Sequence, residues 1–357
     1  MLEVPQGDGA GEPIVLPPGS QAASHAAAPA PRLTVGLLNN MPDAALVATE
    51  RQFRRLLETS GVTVDLRLFS LAGLERGAQA QAHLDAAYAP HTALAHAGLD
   101  ALVVTGCEPR AARLSDEPYY PVFREIVDWA ARNTVSTLFS CLAAHAAVLH
   151  LDGVERRPLQ AKHSGIYACA AATRHPLIAG APRVVPVPHS RWNDLGEADL
   201  TAAGYTVLRR SEEVGVDLFA REGASLLVFL QGHPEYDGDS LAREYRRDVG
   251  RFLADERATA PVLPAHYFAP EAAAHLSAFV SRGGRFADYP AIDPAPPLQT
   301  AWQAEAARLF RAWLGEVARR TLRPSVPVSE DPTRYAGRPI APDAVDGLPL
   351  PFGRGLG

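Results

Sequence analysis

The chain has 357 residues, 47% of them apolar and 21% charged, which is enough for one large core or two small ones. A net charge of −6 without any basic block argues against nucleic acid as the main partner. Cys107, Cys141 and Cys169 are too few and too scattered for a disulfide framework, and no run approaches the roughly 18 apolar residues of a membrane span. A reducing cytoplasmic compartment, no membrane association and no signal peptide are therefore expected.

Residues 1–32 are rich in Ala, Pro and Gly without periodicity and read as a disordered arm. Leu33–Leu38 is a short apolar strand that ends in the loop Asn39-Asn-Met-Pro42. Thr49 reads as the N-cap of a helix over Glu50–Thr59, with Phe53, Leu56 and Leu57 on one face and Gly61 as its stop. Val62–Phe69 alternates as a strand, 70–98 mixes loop and helix, and Leu99–Thr105 is a second buried strand. A helix over Pro121–Arg132 and a strand over Val135–Phe139 follow.

In the second half, strands are expected at Arg183–Val187, Tyr205–Leu208 and Leu226–Leu230, with helices at Ser240–Leu253 and Gln303–Leu314. Residues 256–300 give no clear pattern, and the Pro- and Gly-rich stretch 323–357 reads as a disordered tail around a 33–322 catalytic domain. Strand and helix alternate through the first half. That order predicts an α/β fold: a doubly wound, mostly parallel sheet with helices on both faces, whose ligands bind at the C-terminal ends of the strands.

Ser140 and Cys141 join the strand at Val135–Phe139 directly to the Ala/Leu-rich helix Leu142–Leu149, with no loop between. Such an elbow exposes the turn residue and aims the first helical N–H groups at whatever it attacks. The helix terminus also favours a thiolate there. The alternative is a buried small hydrophobe, the common fate of a free cysteine.

A cysteine nucleophile needs a base, and the base needs an orienting group. Gly232-His233-Pro234-Glu235 offers both in one loop after a strand, unless it is merely a surface turn. His163 and His189, read as loop residues, compete for the role of base. His145, one helical turn past Cys141, reads as packed or substrate-lining. Three scattered cysteines and histidines lack the ligand spacing of a zinc site, so no metal is expected. Lys162 is the chain's single lysine, and Arg191, Arg246 and Arg247 are candidates to hold a carboxylate. Adjacent helical residues point about 100° apart, so at most one of Arg246 and Arg247 can face a crevice.

Several short motifs then fall in register between about residues 33 and 315. They are Asn39-Asn-Met-Pro42, Thr49-Glu-Arg-Gln-Phe53, Val104-Thr-Gly106, Thr134–Cys141 and Lys162-His-Ser-Gly-Ile-Tyr167. Pro188-His-Ser-Arg191, Gly232-His-Pro-Glu-Tyr-Asp237 and Glu244-Tyr-Arg-Arg-Asp248 complete the set. Together they resemble the homoserine O-succinyltransferase family of homoserine O-acyltransferases, with a class I glutamine-amidotransferase-like fold.

The resemblance implies Cys141 as acyl-accepting nucleophile, His233 as general base and Glu235 as its partner. It implies Lys162, Ser190 and Arg247 as substrate-binding residues and Arg110 as the position that sets acyl-donor choice. The backbone N–H of Leu142 would stabilise the oxyanion. An acyl group, succinyl in preference to acetyl, would pass from coenzyme A to Cys141 and then to the hydroxyl of L-homoserine, a step of methionine biosynthesis. The acyl-CoA is a co-substrate and no cofactor is permanently bound; a homodimer is expected.

Leu142 and His145 stand where the family often has Trp and Gln, and the loop after Pro42 lacks the family's lysines. A glutaminase or peptidase on the same fold, or a ligand-binding protein that kept it, are the rival readings. Glutaminases of this class carry Gly on both sides of the nucleophile, where this chain has Ser140 and Ala143.

Overall fold

The computed structural model describes residues 32–291 and 302–322, so the arm, the tail and part of the expanded stretch before Trp302 lie outside the described residues. In chain order the first half runs β1 (Arg32–Leu38), α1 (Asp43–Thr59), β2 (Thr63–Ser70), α2 (Ala78–Ala87), β3 (Ala89–Pro90), β4 (Ala101–Val104), α3 (Tyr120–Asn133), β5 (Ser136–Ser140) and α4 (Leu142–Asp152). The second half runs β6 (Arg157–Ala171), β7 (Val184–Asp194), α5 (Glu197–Ala202), β8 (Thr206–Ser211), β9 (Gly215–Arg221), β10 (Leu226–Leu230), α6 (Ser240–Leu253), α7 (Pro270–Ser281) and α8 (Gln303–Thr321).

All the strands join one 10-stranded sheet in the order β3-β2-β1-β4-β5-β10-β9-β8-β6-β7. From β3 to β10 every pairing is parallel, and from β10 to β7 every pairing is antiparallel. The inner strands β4 and β10 are apolar on both sides, as a sheet covered by helices on both faces requires. In β4, Leu102 and Val104 face one core while Ala101 and Val103 face the other. In β10, Leu227 and Phe229 oppose Leu226, Val228 and Leu230 in the same way.

The first core contains α3 and α4, where Phe123, Val127 and the alanines of α4 press on Phe139 and Phe229. Small side chains let α4 approach the sheet closely, and all but its first and last residues are buried. The second core contains α1 and α8: Phe53, Leu56, Phe310 and Trp313 cover the other face. Trp313 also donates from its indole nitrogen to Ser136 Oγ at 2.8 Å, so its one polar atom is satisfied where it is buried.

Several boundaries differ from those read in the sequence. Helix α1 begins at Asp43, not at Thr49, because Pro42 holds extended backbone (ψ 161°) and Asp43 then sits in the first turn, at the positive end of the dipole. Thr49 is a buried residue inside the helix. Helix α8 runs seven residues past Leu314. Three strands, β3, β6 and β9, were not expected, and β7 extends through Asp194. His163 and His189 therefore lie on paired strands and not in loops.

Candidate active site

Four adjacent parallel strands end along one edge of the sheet, and each is followed by a segment singled out in the sequence. Asn39–Met41 follows β1, Gly106 follows β4, Cys141 follows β5 and Gln231–His233 follows β10. Hydrogen bonds tie these ends together. Asn40 N donates to Thr105 Oγ1 at 2.8 Å, its side-chain amide donates to Thr105 O at 3.0 Å, and Cys141 N donates to Leu230 O at 2.7 Å.

Cys141 adopts φ +51°, ψ −112° between β5 and α4. A non-glycine residue held at positive φ carries strain of about 1–3 kcal/mol, sustained only where the surroundings over-determine it. Here the bond to Leu230 O fixes the nitrogen, and α4 begins at once on the other side. The backbone of Gly106 packs against this turn. A Cβ at 106 would come within 2.8 Å of the Leu142 side chain and 3.1 Å of the Leu142 nitrogen, so any larger residue would close over the N–H that starts the helix.

His233 reaches the elbow from the neighbouring strand end. Its Nδ1 lies 2.7 Å from Glu235 Oε1, and the ring also hydrogen-bonds to Cys141. With Nδ1 on the carboxylate, Nε2 is the atom left for the thiol. Burial pushes the imidazole pKa down. The charges and hydrogen bonds of Cys141 and Glu235 together outweigh it and hold His233 well above its ordinary 6.5. Tyr236 stacks on the ring at 4.3 Å, and His233 N donates to Pro188 O at 2.7 Å. Gly232 allows the approach, since a Cβ there would stand 2.5 Å from Asp217 Oδ1 and 2.6 Å from Val187.

The expected substrate-binding residues meet at a carboxylate that the sequence reading passed over. Glu244 on α6 accepts from Lys162 Nζ at 3.3 Å, from the Ser190 hydroxyl and from the Tyr236 hydroxyl. Asp248, one turn on, receives Lys162 at 3.1 Å and Arg247 at 2.9 Å. Burial favours the neutral acid, but the Lys162 charge and the hydroxyl donors override it and hold the Glu244 carboxyl at about 2. The signal available in the sequence was the i, i+4 spacing of Glu244 and Asp248 within one motif, which puts both on one helix face.

The pKa of Glu244 predicts an acid-labile site. Above its ordinary 4.5 the carboxylate is ionised whether the chain is folded or not, and its native contacts contribute in full. As pH falls through the folded value of about 2, the unfolded chain has already taken up its proton and that contribution is lost. Urea midpoints measured from pH 5 to pH 2 are expected to fall more steeply for the native protein than for Glu244→Gln. Parallel curves would show that Glu244 is not linked to folding in this way.

The other expected residues are placed as follows. Arg110 lies at the surface, 64% exposed, in a 2.6 Å ion pair with Glu75, while its backbone N–H is held by Glu117. Glu108, its neighbour in sequence, pairs with Arg251 instead. Arg191 is buried against Asp194 and backbone carbonyls, so it is not free to take a carboxylate. Arg246 stacks over Phe286 and Tyr289. His145 Nε2 bonds Gln231 Oε1 at 2.9 Å. That oxygen also accepts from Leu195 N, so His145 is the donor, and burial holds its pKa at about 3.

Among the described residues, one group has the make-up of a metal site: Cys169, His189 and Asp217, with donor atoms within 4.8 Å of one another. Arg209 Nε already sits 2.9 Å from Asp217, and His189 Nδ1 has no acceptor to orient it as a metal ligand would be. All three residues are fully buried, and burial raises the Cys169 thiol pKa far above its usual range. This second Cys-His-Asp set is therefore closed to substrate, whereas Cys141 is half-buried at the strand-end edge.

A family model described as homoserine O-succinyltransferase matches residues 11–323. The homoserine O-succinyltransferase of Methylorubrum extorquens is 64% identical over 295 residues, which cover 81% of this chain and 88% of that protein. That of Rhodopseudomonas palustris is 48% identical over 294 residues, 80% of this chain and 88% of the relative. Among solved structures, a glutamine amido transferase from Methylobacillus flagellatus superposes with a TM-score of 0.46 at 11% identity, over 84% of this chain and 99% of that one.

Proposed function

Because the chain belongs to the homoserine O-succinyltransferase family, we propose that it transfers a succinyl group from succinyl-CoA to the γ-hydroxyl of L-homoserine through a thioester on Cys141. The observation that carries the site assignment is the Cys141–His233–Glu235 set, in which His233, at one strand-end edge, bonds Glu235 through Nδ1 and also hydrogen-bonds Cys141.

In the first half-reaction Cys141 Sγ attacks the thioester carbonyl. The carbonyl oxygen becomes an oxyanion against the Leu142 N–H, a donor of a kind whose removal typically costs about 3–4 kcal/mol. The carbon–sulfur bond to coenzyme A then breaks, and the proton on His233 goes to the departing thiolate. The high pKa of His233 keeps that proton available. In the second half-reaction the neutral imidazole takes the proton of the homoserine hydroxyl as its oxygen attacks the enzyme thioester, and Cys141 leaves. Glu235 holds the ring in one tautomer through both steps. The zwitterionic acceptor needs a cation and an anion. Half-exposed Arg247 takes its carboxylate, and Glu244, steadied by Lys162 and Ser190, takes its ammonium.

No permanently bound cofactor is required, since both acyl carriers are thioesters. We place the enzyme in the cytoplasm, as a homodimer, at the acylation step of methionine biosynthesis. No helix among the described residues is long and apolar enough to cross a membrane. The test is turnover of purified protein with L-homoserine and either succinyl-CoA or acetyl-CoA, read by product mass and thiol release. O-Succinylhomoserine as the main product is expected. Thiol release without an acylated amino acid would indicate a hydrolase on this fold, and no release with either donor would overturn the assignment.

A further inference from the structure

The arginines around the crevice, apart from Arg247, are mostly committed to carboxylates: Arg110 to Glu75 at 2.6 Å, Arg251 to Glu108 at 3.1 Å and Arg191 to Asp194 at 2.8 Å. Arg156 differs. It stands between the end of α4 and the start of β6, and among the described residues no carboxylate lies within ion-pair distance of it. Its Nη2 makes one long bond, 3.3 Å, to the carbonyl of Ala112, and its Nη1 is buried with no acceptor at all. A guanidinium is charged at any working pH, so a buried N–H of this kind left without an acceptor is costly. Glu117, the nearby acid that could have served, spends Oε1 on the backbone N–H groups of Arg110 and Ala111, at 2.7 and 2.8 Å.

Through Ala112, Arg156 touches the loop that follows β4, one of the strand ends that form the crevice. Its charge is felt at His145, one turn past the nucleophile, and it in turn feels Cys141 and Tyr119. His145 Nδ1 is a second buried polar atom without a partner in this neighbourhood. The unmatched guanidinium N–H is a donor that the folded chain alone does not satisfy. In a succinyl thioester the free carboxylate stands roughly 4 Å beyond the thioester carbon, three C–C bonds of about 1.5 Å each. An acyl group on Cys141 therefore carries its own anion into this region.

We propose that Arg156, rather than Arg110, receives the free carboxylate of the acyl donor and so sets the preference for succinyl over acetyl in the reaction proposed above, on which this inference rests. The carboxylate displaces the weak bond to Ala112 O and supplies the acceptor that Nη1 lacks. An acetyl group brings no such acceptor and leaves the guanidinium as it is.

The experiment compares kcat/KM for succinyl-CoA and acetyl-CoA, with L-homoserine as acceptor, in wild type, Arg156→Gln, Arg156→Lys and Arg110→Gln. Arg156→Gln is expected to lower the succinyl-to-acetyl ratio by about ten- to a hundredfold, the loss of one charge-assisted bond. Arg156→Lys, which keeps the charge without the planar fork, is expected to recover part of it. Equal losses with both donors in Arg156→Gln, or a ratio that moves only in Arg110→Gln, would overturn the inference and leave the function standing. A wild-type protein inert with both donors would instead remove the function, and this inference with it. Unfolding midpoints of the variants separate a lost contact from a lost fold.

Discussion

Cys141→Ser is expected to lower kcat by roughly four to six orders of magnitude while the protein stays folded, a loss of the size seen when a catalytic nucleophile is removed. A serine hydroxyl is almost isosteric with the thiol but is a far weaker nucleophile at neutral pH. The positive φ at 141 is held by Leu230 O and by the start of α4, which the substitution leaves in place. The urea midpoint should therefore correspond to a change under about 1 kcal/mol. Intact-mass spectrometry after mixing with succinyl-CoA, without acceptor, should show one acyl group on the native chain and none on the variant. A serine variant with a tenth of native activity would sink the assignment of Cys141.

His233→Asn is expected to cost about 10²–10⁴ in kcat, the range of a general acid–base group. It removes the proton donor to coenzyme A and the acceptor for the homoserine hydroxyl together. His145→Asn should cost far less, about tenfold or under. His145 touches Gln231 and not the reacting atoms; it braces the strand end that carries His233. The contrast is sharpened by pH, because the His145 variant should keep the native pH–rate profile while the His233 variant loses the limb that the imidazole controls. If both variants were equally inactive, His145 would have to be given a part in the reaction itself.

The meeting of Cys141, His233 and Glu235 was legible in the sequence because it depends on local order. A strand running into a helix without a spacer produces the elbow at Cys141, and Pro234 holds His233 and Glu235 two positions apart on one turn. The strand Leu226–Leu230 and the helix Ser240–Leu253 were legible too, since each is bounded by turn residues and has a single period. Strand β6 was not. Its first residues are largely exposed, the Lys162 to Tyr167 stretch is buried nearly throughout, and the register shifts between Pro158 and His163, so neither alternation nor an apolar run survives over its length. The role of Glu244 was hidden for another reason. Charges on an amphipathic helix usually face water, and only the fold brings Lys162, Ser190 and Tyr236 from three other segments onto this one. Arg191 and Arg110 show the converse, since their partners Asp194 and Glu75 take up charges that the sequence left open for substrate.

The placement of β10 bears on how the enzyme comes into being on the ribosome. This strand lies between β5, its parallel neighbour, and β9, its antiparallel one, and pairs Leu226 with Ser136 across ninety residues of chain. Translation at about 5–20 residues per second leaves roughly 5–20 s during which the nucleophile elbow has been made and its base has not. The thiol emerges before the imidazole that would activate it, and the backbone bond that holds the elbow, from Cys141 to Leu230, has no acceptor until β10 arrives. Helix α8, which covers the adjoining face with Phe310 and Trp313, arrives later still. On the proposed site, a nascent chain would be chemically silent toward acyl-CoA until β10 and His233 have been made.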